Sequence, residues 1–229
     1  MISVIVPTLN EEEFIEKCLN SLLDQTLPKK EYEIIVSDSS STDATVEIAK
    51  SLADKVVVCE RVSAGFGRNY GARYAKGDKL VFIDADTIAC GTFLEGANEG
   101  LEKSIACTGP IRALEKNSLL LRAFYRWWSL QSRISVLLRY PIFPGFNFAV
   151  RKEAFEIAGG FKTHDMTTED IELSLRLRGY GKISFSEKML VFTSTRRLKE
   201  IDLPSYVANA ITFVLFKRCR SWKEHRKDF

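Results

Sequence analysis

Cysteine is scarce in this chain of 229 residues and histidine scarcer still, five of the first and two of the second. Cys18, Cys59, Cys90, Cys107 and Cys219 are odd in number and far apart, with no paired spacing. That argues against a disulfide framework or a zinc knuckle and favours a reduced, cytoplasmic setting. His164 and His225 read as surface residues rather than metal ligands. No run reaches the ~20 apolar residues of a membrane-spanning helix. No signal peptide is expected ahead of "ISVIVP", which begins at residue 2. Repeats and low-complexity linkers are missing before residue 200. Nor does one sign of charge dominate: the formal net charge is +3, and residues 217–229 alone hold six Lys/Arg against Glu224 and Asp228. The basic character belongs to the tail, and no nucleic-acid partner is expected. The oligomeric state stays open. What remains is an ordinary globular composition, 45% apolar and 28% charged, long enough to bury a sizeable core.

What the chain does have is alternation. "ISVIVP", "YEIIVSD", "KVVVC" and "KLVFIDAD" read as short buried strands. Between them, "NEEEFIEKCLNSLLDQ" and "STDATVEIAKSLA" carry helical spacing, with Asn10 and Asp43 as candidate caps. "GFGRNYGARYA" reads as a loop entering a helix. Short connections between strand and helix imply right-handed crossovers and a mostly parallel sheet with helices on both faces. The second half is mixed: strands at "ACTGP", "FNFAV", "KISF" and "MLVFTS", and a helix at "TTEDIELSLRLRGYG". There Thr167 or Thr168 is the expected cap, Glu169 and Asp170 fall in the first turn, and Gly179 is the stop.

Ligands of such sheets collect beyond the carboxyl ends of the strands. Three acidic clusters fall there: Glu11 and Glu12 after the first strand, Asp38 ending the second, Asp84 and Asp86 ending the fourth. On a continuing extended backbone Asp84 and Asp86 point to one face, where they repel unless a cation or proton lies between them. A hard ion such as Mg2+ or Mn2+ suits two carboxylates plus phosphate oxygens. For a lone pair of this kind, helix capping and solvation explain the residues equally well; the buried strand before them favours the ion. Asp38 is a candidate acceptor for an N–H of a planar base, and the Arg68 fork for base or phosphate. Gly65, Gly67 and Gly71 are by themselves a weak phosphate-loop signal. Glu11 and Glu12 equally suit a helix N-terminus.

Together "VIVPTLNEEEFIEKCLNSLLDQ", "YEIIVSDSSSTDAT", "GRNYGARYAKGDKLVFIDADT", "GFNFAVRKEAFEIAGGF" and "TEDIELSLRLRGYG" resemble the family 2 glycosyltransferases of GT-A fold, from residue 2 to about residue 197. The resemblance implies one Rossmann-like α/β domain over residues 1–200, nucleotide-binding in 1–90 and acceptor-side in 91–200. It implies inverting transfer of a sugar from a nucleotide-diphosphate donor to a sugar or lipid-linked acceptor, with Mn2+ or Mg2+. By matching position, Pro7, Thr8, Asn10 and Glu11 line the nucleoside pocket, with Asp38 on the base and Arg68 beside it. Asp84 lies near ribose and metal, and Asp86 is a metal ligand. Gly145, Phe146, Asn147 and Glu169 face donor sugar and acceptor, Asp170 is the catalytic base, and Arg196 and Arg197 lie near the diphosphate. "TSTRRL" lacks the histidine that many GT-A enzymes offer the metal. A sugar nucleotidyltransferase would instead carry a Gly-rich, Arg-containing loop after the first strand, and a non-catalytic nucleotide-sugar-binding module would have lost Asp86 or Asp170.

Two stretches fall outside this scheme. Residues 118–139 place Ser118, Arg122, Arg126, Ser129 and Arg133 on one stripe of an otherwise apolar helix, which suits either the core or an anionic membrane surface. Residues 201–229 run from apolar "YVANAITFVLF" to basic "KRCRSWKEHRK". That pattern fits a surface helix on a membrane, a docked C-terminal helix or a dimer contact.

Overall fold

The computed structural model describes residues 1–115, 119–163 and 169–196. The expectations for Thr167, Thr168, His164, His225, Cys219, Arg197 and the 201–229 tail lie outside those residues. Strands β1 (Ile2–Thr8), β2 (Tyr32–Asp38), β3 (Lys55–Val58) and β4 (Lys79–Phe82) run parallel, linked by α1 (Ile15–Leu23), α2 (Thr45–Leu52) and α3 (Ala64–Ala72). Beyond β4, the chain adds β5 (Thr87–Ala89), α4 (Phe93–Lys103), β6 (Ala106–Thr108), β7 (Ile111–Ala113) and α5 (Leu119–Leu137). It finishes with β8 (Phe148–Arg151), α6 (Lys152–Ile157), α7 (Glu169–Leu177), β9 (Ile183–Phe185) and β10 (Val191–Thr193). The main sheet has the order β3-β2-β1-β4-β8-β6-β9, with β8 antiparallel to both neighbours; a second sheet has the order β5-β10-β7.

This order fixes where a ligand can enter. From β1 the chain builds outward through β2 and β3, then returns to lay β4 on the other side of β1. The loops leaving β1 and β4 therefore diverge, and a crevice opens at their carboxyl ends. Period-two alternation along β1 feeds two cores. Ile2, Val4 and Val6 join one with α1 and α4, whereas Ile5 joins the other with Phe82, Phe148 and α7. On α1, Ile15, Cys18, Leu19 and Leu22 form the buried face expected from their spacing.

Several local expectations are corrected. Residues 64–72 are helix rather than loop: the Phe66 N–H donates to Ser63 Oγ at 3.1 Å, a side-chain cap that starts the helix at once. Its glycines serve packing. A Cβ on Gly71 would stand 2.6 Å from Ile5 Cγ2 and 3.1 Å from Ser37 Cβ. Gly71→Ala is therefore expected to cost about 1–3 kcal/mol through overpacking, read as a lower urea midpoint. An unchanged midpoint would refute the close approach. Asn10 does not cap α1, which begins at Ile15. Its φ is 52°, a region asparagine tolerates, and its side-chain oxygen accepts from the Thr42 N–H at 2.9 Å. Asp43 stands one residue ahead of the α2 cap position, which Ala44 holds, and accepts from the Thr45 N–H at 3.0 Å. Strand β4 stops at Phe82, ahead of the two aspartates.

Candidate active site

The parallel register sets Thr8 beside Asp38 at the carboxyl edge. Asp38 is fully buried. Its carboxylate accepts from Thr8 Oγ1 at 2.9 Å, the Ser41 N–H at 2.8 Å and Ser41 Oγ at 2.5 Å. Enclosed in this way, it braces the strand end and the following turn, with three of its roughly four acceptor sites used. Pro7, preceding Thr8, lies against α3, where a Cβ on Gly67 would stand 3.6 Å from its own.

Past β4 the chain turns rather than extends, because the Thr87 N–H donates to Asp84 O at 3.0 Å. Asp84 and Asp86 thus do not share a strand face, and each meets its own arginine. Arg68, 4% exposed, pairs with Asp84 Oδ1 at 2.8 Å and Glu169 Oε1 at 3.3 Å. Burial alone would weaken its proton affinity, but Asp84 and Glu169 outweigh that and hold its pKa above the ordinary value. Across from it, Arg196 Nε stands 3.7 Å from Asp86 Oδ2, its NH2 contacts Glu11 Oε2, and the guanidinium lies 4.4 Å above the Phe14 ring. The three carboxylates converge: the buried Cys18 thiol is pushed up by burial first, then by Asp86, Asp84 and Glu11. Tyr125 on α5 is likewise raised by burial and then by Asp86, and its hydroxyl donates to Ser194 O at 3.2 Å.

Asp170, the second residue of α7, lies within the field of Arg68. Its Oδ2 accepts from the Gly145 N–H at 3.0 Å and its Oδ1 from the Ile171 N–H at 2.8 Å. Two of its lone-pair sites remain. Gly145 closes over Arg68, since a Cβ there would stand 2.9 Å from the guanidinium carbon. A helix N-terminus by itself lowers the pKa of a carboxyl such as that of Asp170. Burial instead raises it, with Arg68 pulling the other way. Glu169 is pushed up to about 7, by burial and then by the charge of Asp170.

Two expected donor-facing residues look elsewhere. Asn147 is fully buried, and its amide nitrogen donates to the carbonyls of Gly109, Pro110 and Met189 at 3.0–3.1 Å, tying three loops together. Phe146 packs edge-on against Trp128. Sequence reasoning missed Glu115, which accepts from Ser194 Oγ at 2.6 Å and the Thr195 N–H at 2.7 Å and so anchors the segment bearing Arg196. It also missed Phe14 beneath that arginine. Glu115 stands in no motif, and Phe14 reads in its motif only as an apolar helix position; folding alone brings both to the arginine.

The fold is of GT-A type, a mostly parallel central sheet flanked by helices. Staphylococcus aureus TarS shares it with a TM-score of 0.70 at 21% identity, over 93% of this chain and 64% of that one. The mannosyltransferase PcManGT of Pyrobaculum calidifontis, solved with GDP-Man and Mn2+, gives 0.69 at 24% identity, over 96% and 65%. Residues 3–157 match the model of Glycosyl transferase family 2, and the chain belongs to that family. A poly(ribitol-phosphate) beta-glucosyltransferase of Bacillus spizizenii is 44% identical over 92 residues, 37% of this chain and 14% of that protein. Glycosyltransferase AglE of Haloferax volcanii is 28% identical over 193 residues, 79% of this chain and 62% of its own. The chain thus spans less than two thirds of either relative.

Proposed function

We propose that the chain transfers a sugar from a nucleotide-diphosphate donor to an acceptor hydroxyl or phosphate with inversion, Asp170 serving as the base. The observation that carries this reading is the single charge network joining Asp84, through Arg68, to Glu169 and Asp170. Around the donor, Pro7, Thr8, Asn10 and Glu11 line the nucleoside pocket with Asp38 bracing it from beneath. Gly145 borders the sugar, while Arg196 and Arg197 meet the diphosphate.

The residues suit a hard divalent cation. Asp84 and Asp86 offer only carboxylate oxygens. Among the described residues no group of three or more His, Cys, Asp or Glu could hold an ion by itself. Ligands from the diphosphate would complete such a site, as the acceptance of Mn2+ or Mg2+ by few protein oxygens requires. Asp86 would hold the ion with Asp84 beside it, and the ion supplies positive charge to the departing diphosphate. Arg196, against Asp86 and Glu11, would share that task.

Asp170 takes the acceptor proton as the new C–O bond forms, opposite the breaking bond to the diphosphate, which inverts the anomeric centre. A panel of nucleotide sugars, with and without Mn2+, tests the whole reading. A metal-dependent thermal shift with one donor, followed by release of nucleoside diphosphate, is the expected result. Pyrophosphate release would instead indicate a nucleotidyltransferase, and a shift with no turnover a binding module.

A further inference from the structure

Helix α5 turns its polar side inward. Tyr125, Ser129, Ser132 and Ser135 are buried. Ser129 Oγ bonds both the N–H and the carbonyl of Ile111, at 2.6 and 2.8 Å, and Ser135 Oγ accepts from the Ile142 N–H at 3.0 Å. The opposite face is left to Leu120 (79% exposed), Trp127 (54%), Leu130 (55%), Ile134 and Leu137 (73%), at steps of seven, three, four and three residues on one line. A continuous exposed apolar face of this kind marks an interaction surface. Beside it, an apolar groove of about 340 Å³ runs between Trp127, Leu130, Ile134 and Ile142.

Charge identifies the occupant. Arg122, Arg126 and Arg133 sit at helical spacing along one flank of that face, and α5 contains no Asp or Glu. Arg133 pairs with exposed Glu187 at 2.8 Å, and Arg178 lies 4.5 Å over the Tyr140 ring just beyond the helix. A second copy packed face to face would bring arginine rows together with no acidic complement on the helix. The chain's own tail ends in a run of the same positive sign. An anionic lipid surface satisfies both features: acyl chains accept the Leu and Trp side chains, and headgroups meet the guanidinium row. We propose that this face of α5 docks the protein on an anionic bilayer, the helix lying in the interface plane. No described helix is long and apolar enough to cross. The dock adjoins the site, since α5 also carries Tyr125, bonded to Ser194 O while the Ser194 N–H donates to Asp86 O at 3.1 Å, and Ile142 in the groove is three residues from Gly145.

Co-sedimentation of the full chain with phosphatidylcholine vesicles, with and without phosphatidylglycerol, tests the proposal. Binding is expected only with the anionic lipid, weakening as salt rises. Arg126→Ser with Arg133→Ser should lower partition on the order of tenfold or more, and Leu130→Glu with Leu137→Glu should abolish it. Both pairs are surface changes, so donor turnover in free solution should be unaltered. Trp127 emission should shift to the blue on vesicle addition, and Trp127→Phe should remove most of the change. This second readout keeps the test decisive if a charge variant folds poorly. Binding that survives the α5 variants and is lost only when Lys217, Arg218 and Arg220 are replaced would overturn the proposal. So would a lack of vesicle binding, or a dimer that the leucine variants split. None of these results bears on donor turnover, so failure of docking and failure of the transferase reading are separately visible.

Discussion

Asp170→Asn lowers the rate of sugar transfer by about 10²–10⁴-fold while leaving donor affinity nearly unchanged. The asparagine keeps the shape and one oxygen for the Gly145 or Ile171 N–H, so the start of α7 survives. What it loses is the ability to take a proton. The pH profile carries a second signature. Burial raises the Asp170 pKa, so the protonated, inactive form persists to a higher pH than an ordinary aspartate would allow. Activity should fall on the acid side, with a limb above the roughly 4 of an unperturbed Asp. Because Glu169 lies beside it and is itself raised to about 7, the limb reports the pair rather than one residue. Glu169→Gln should move the limb and Asp170→Asn should remove it. A fully active Asp170→Asn would remove the base from the mechanism.

The parallel half of the fold is legible in the sequence because strand–helix alternation with short links allows few topologies. The sharing of one sheet edge by Asp38, Asp84 and the residues after Thr8 follows from that topology alone. The charge pairing does not. Arg68 and Glu169 are 101 residues apart, and only the folded chain shows that Arg68 neutralises carboxylates within the site. The glycines of 65–71 suggest a loop by composition, whereas Ser63 caps a helix and Gly71 lets it lie close on β1. Helix α5 stays open for another reason. Hydropathy allows its apolar majority either a core or a membrane surface, and hydrogen bonds from the Ile111 and Ile142 N–H groups to Ser129 and Ser135 decide which side faces inward. Periodicity records that two faces exist without saying which is buried.

Removing Arg68 tests how far site and stability are joined. Arg68→Gln leaves Asp84, Glu169 and Asp170 near one another with their shared cation gone. Breaking a buried ion pair by deleting one partner costs about 3–5 kcal/mol, and the guanidinium also fills space against Gly145 and the Phe161 ring. The loss should depend on pH, with a sign that follows from proton binding. Arg68 lowers the pKa of Glu169 and of Asp170, so without it both rise further in the folded state while the unfolded chain keeps ordinary values. The folded variant then binds more protons than the unfolded one between the two ranges, and its stability increases as pH falls through the raised pKa values toward the ordinary carboxylate range. Urea unfolding at about pH 8 should show the larger deficit, and at about pH 5 a smaller one, as the carboxyls neutralise themselves. An equal deficit at both would mean that Arg68 supports the fold by packing alone, and Asp84 and Asp170 would then no longer be electrostatically joined.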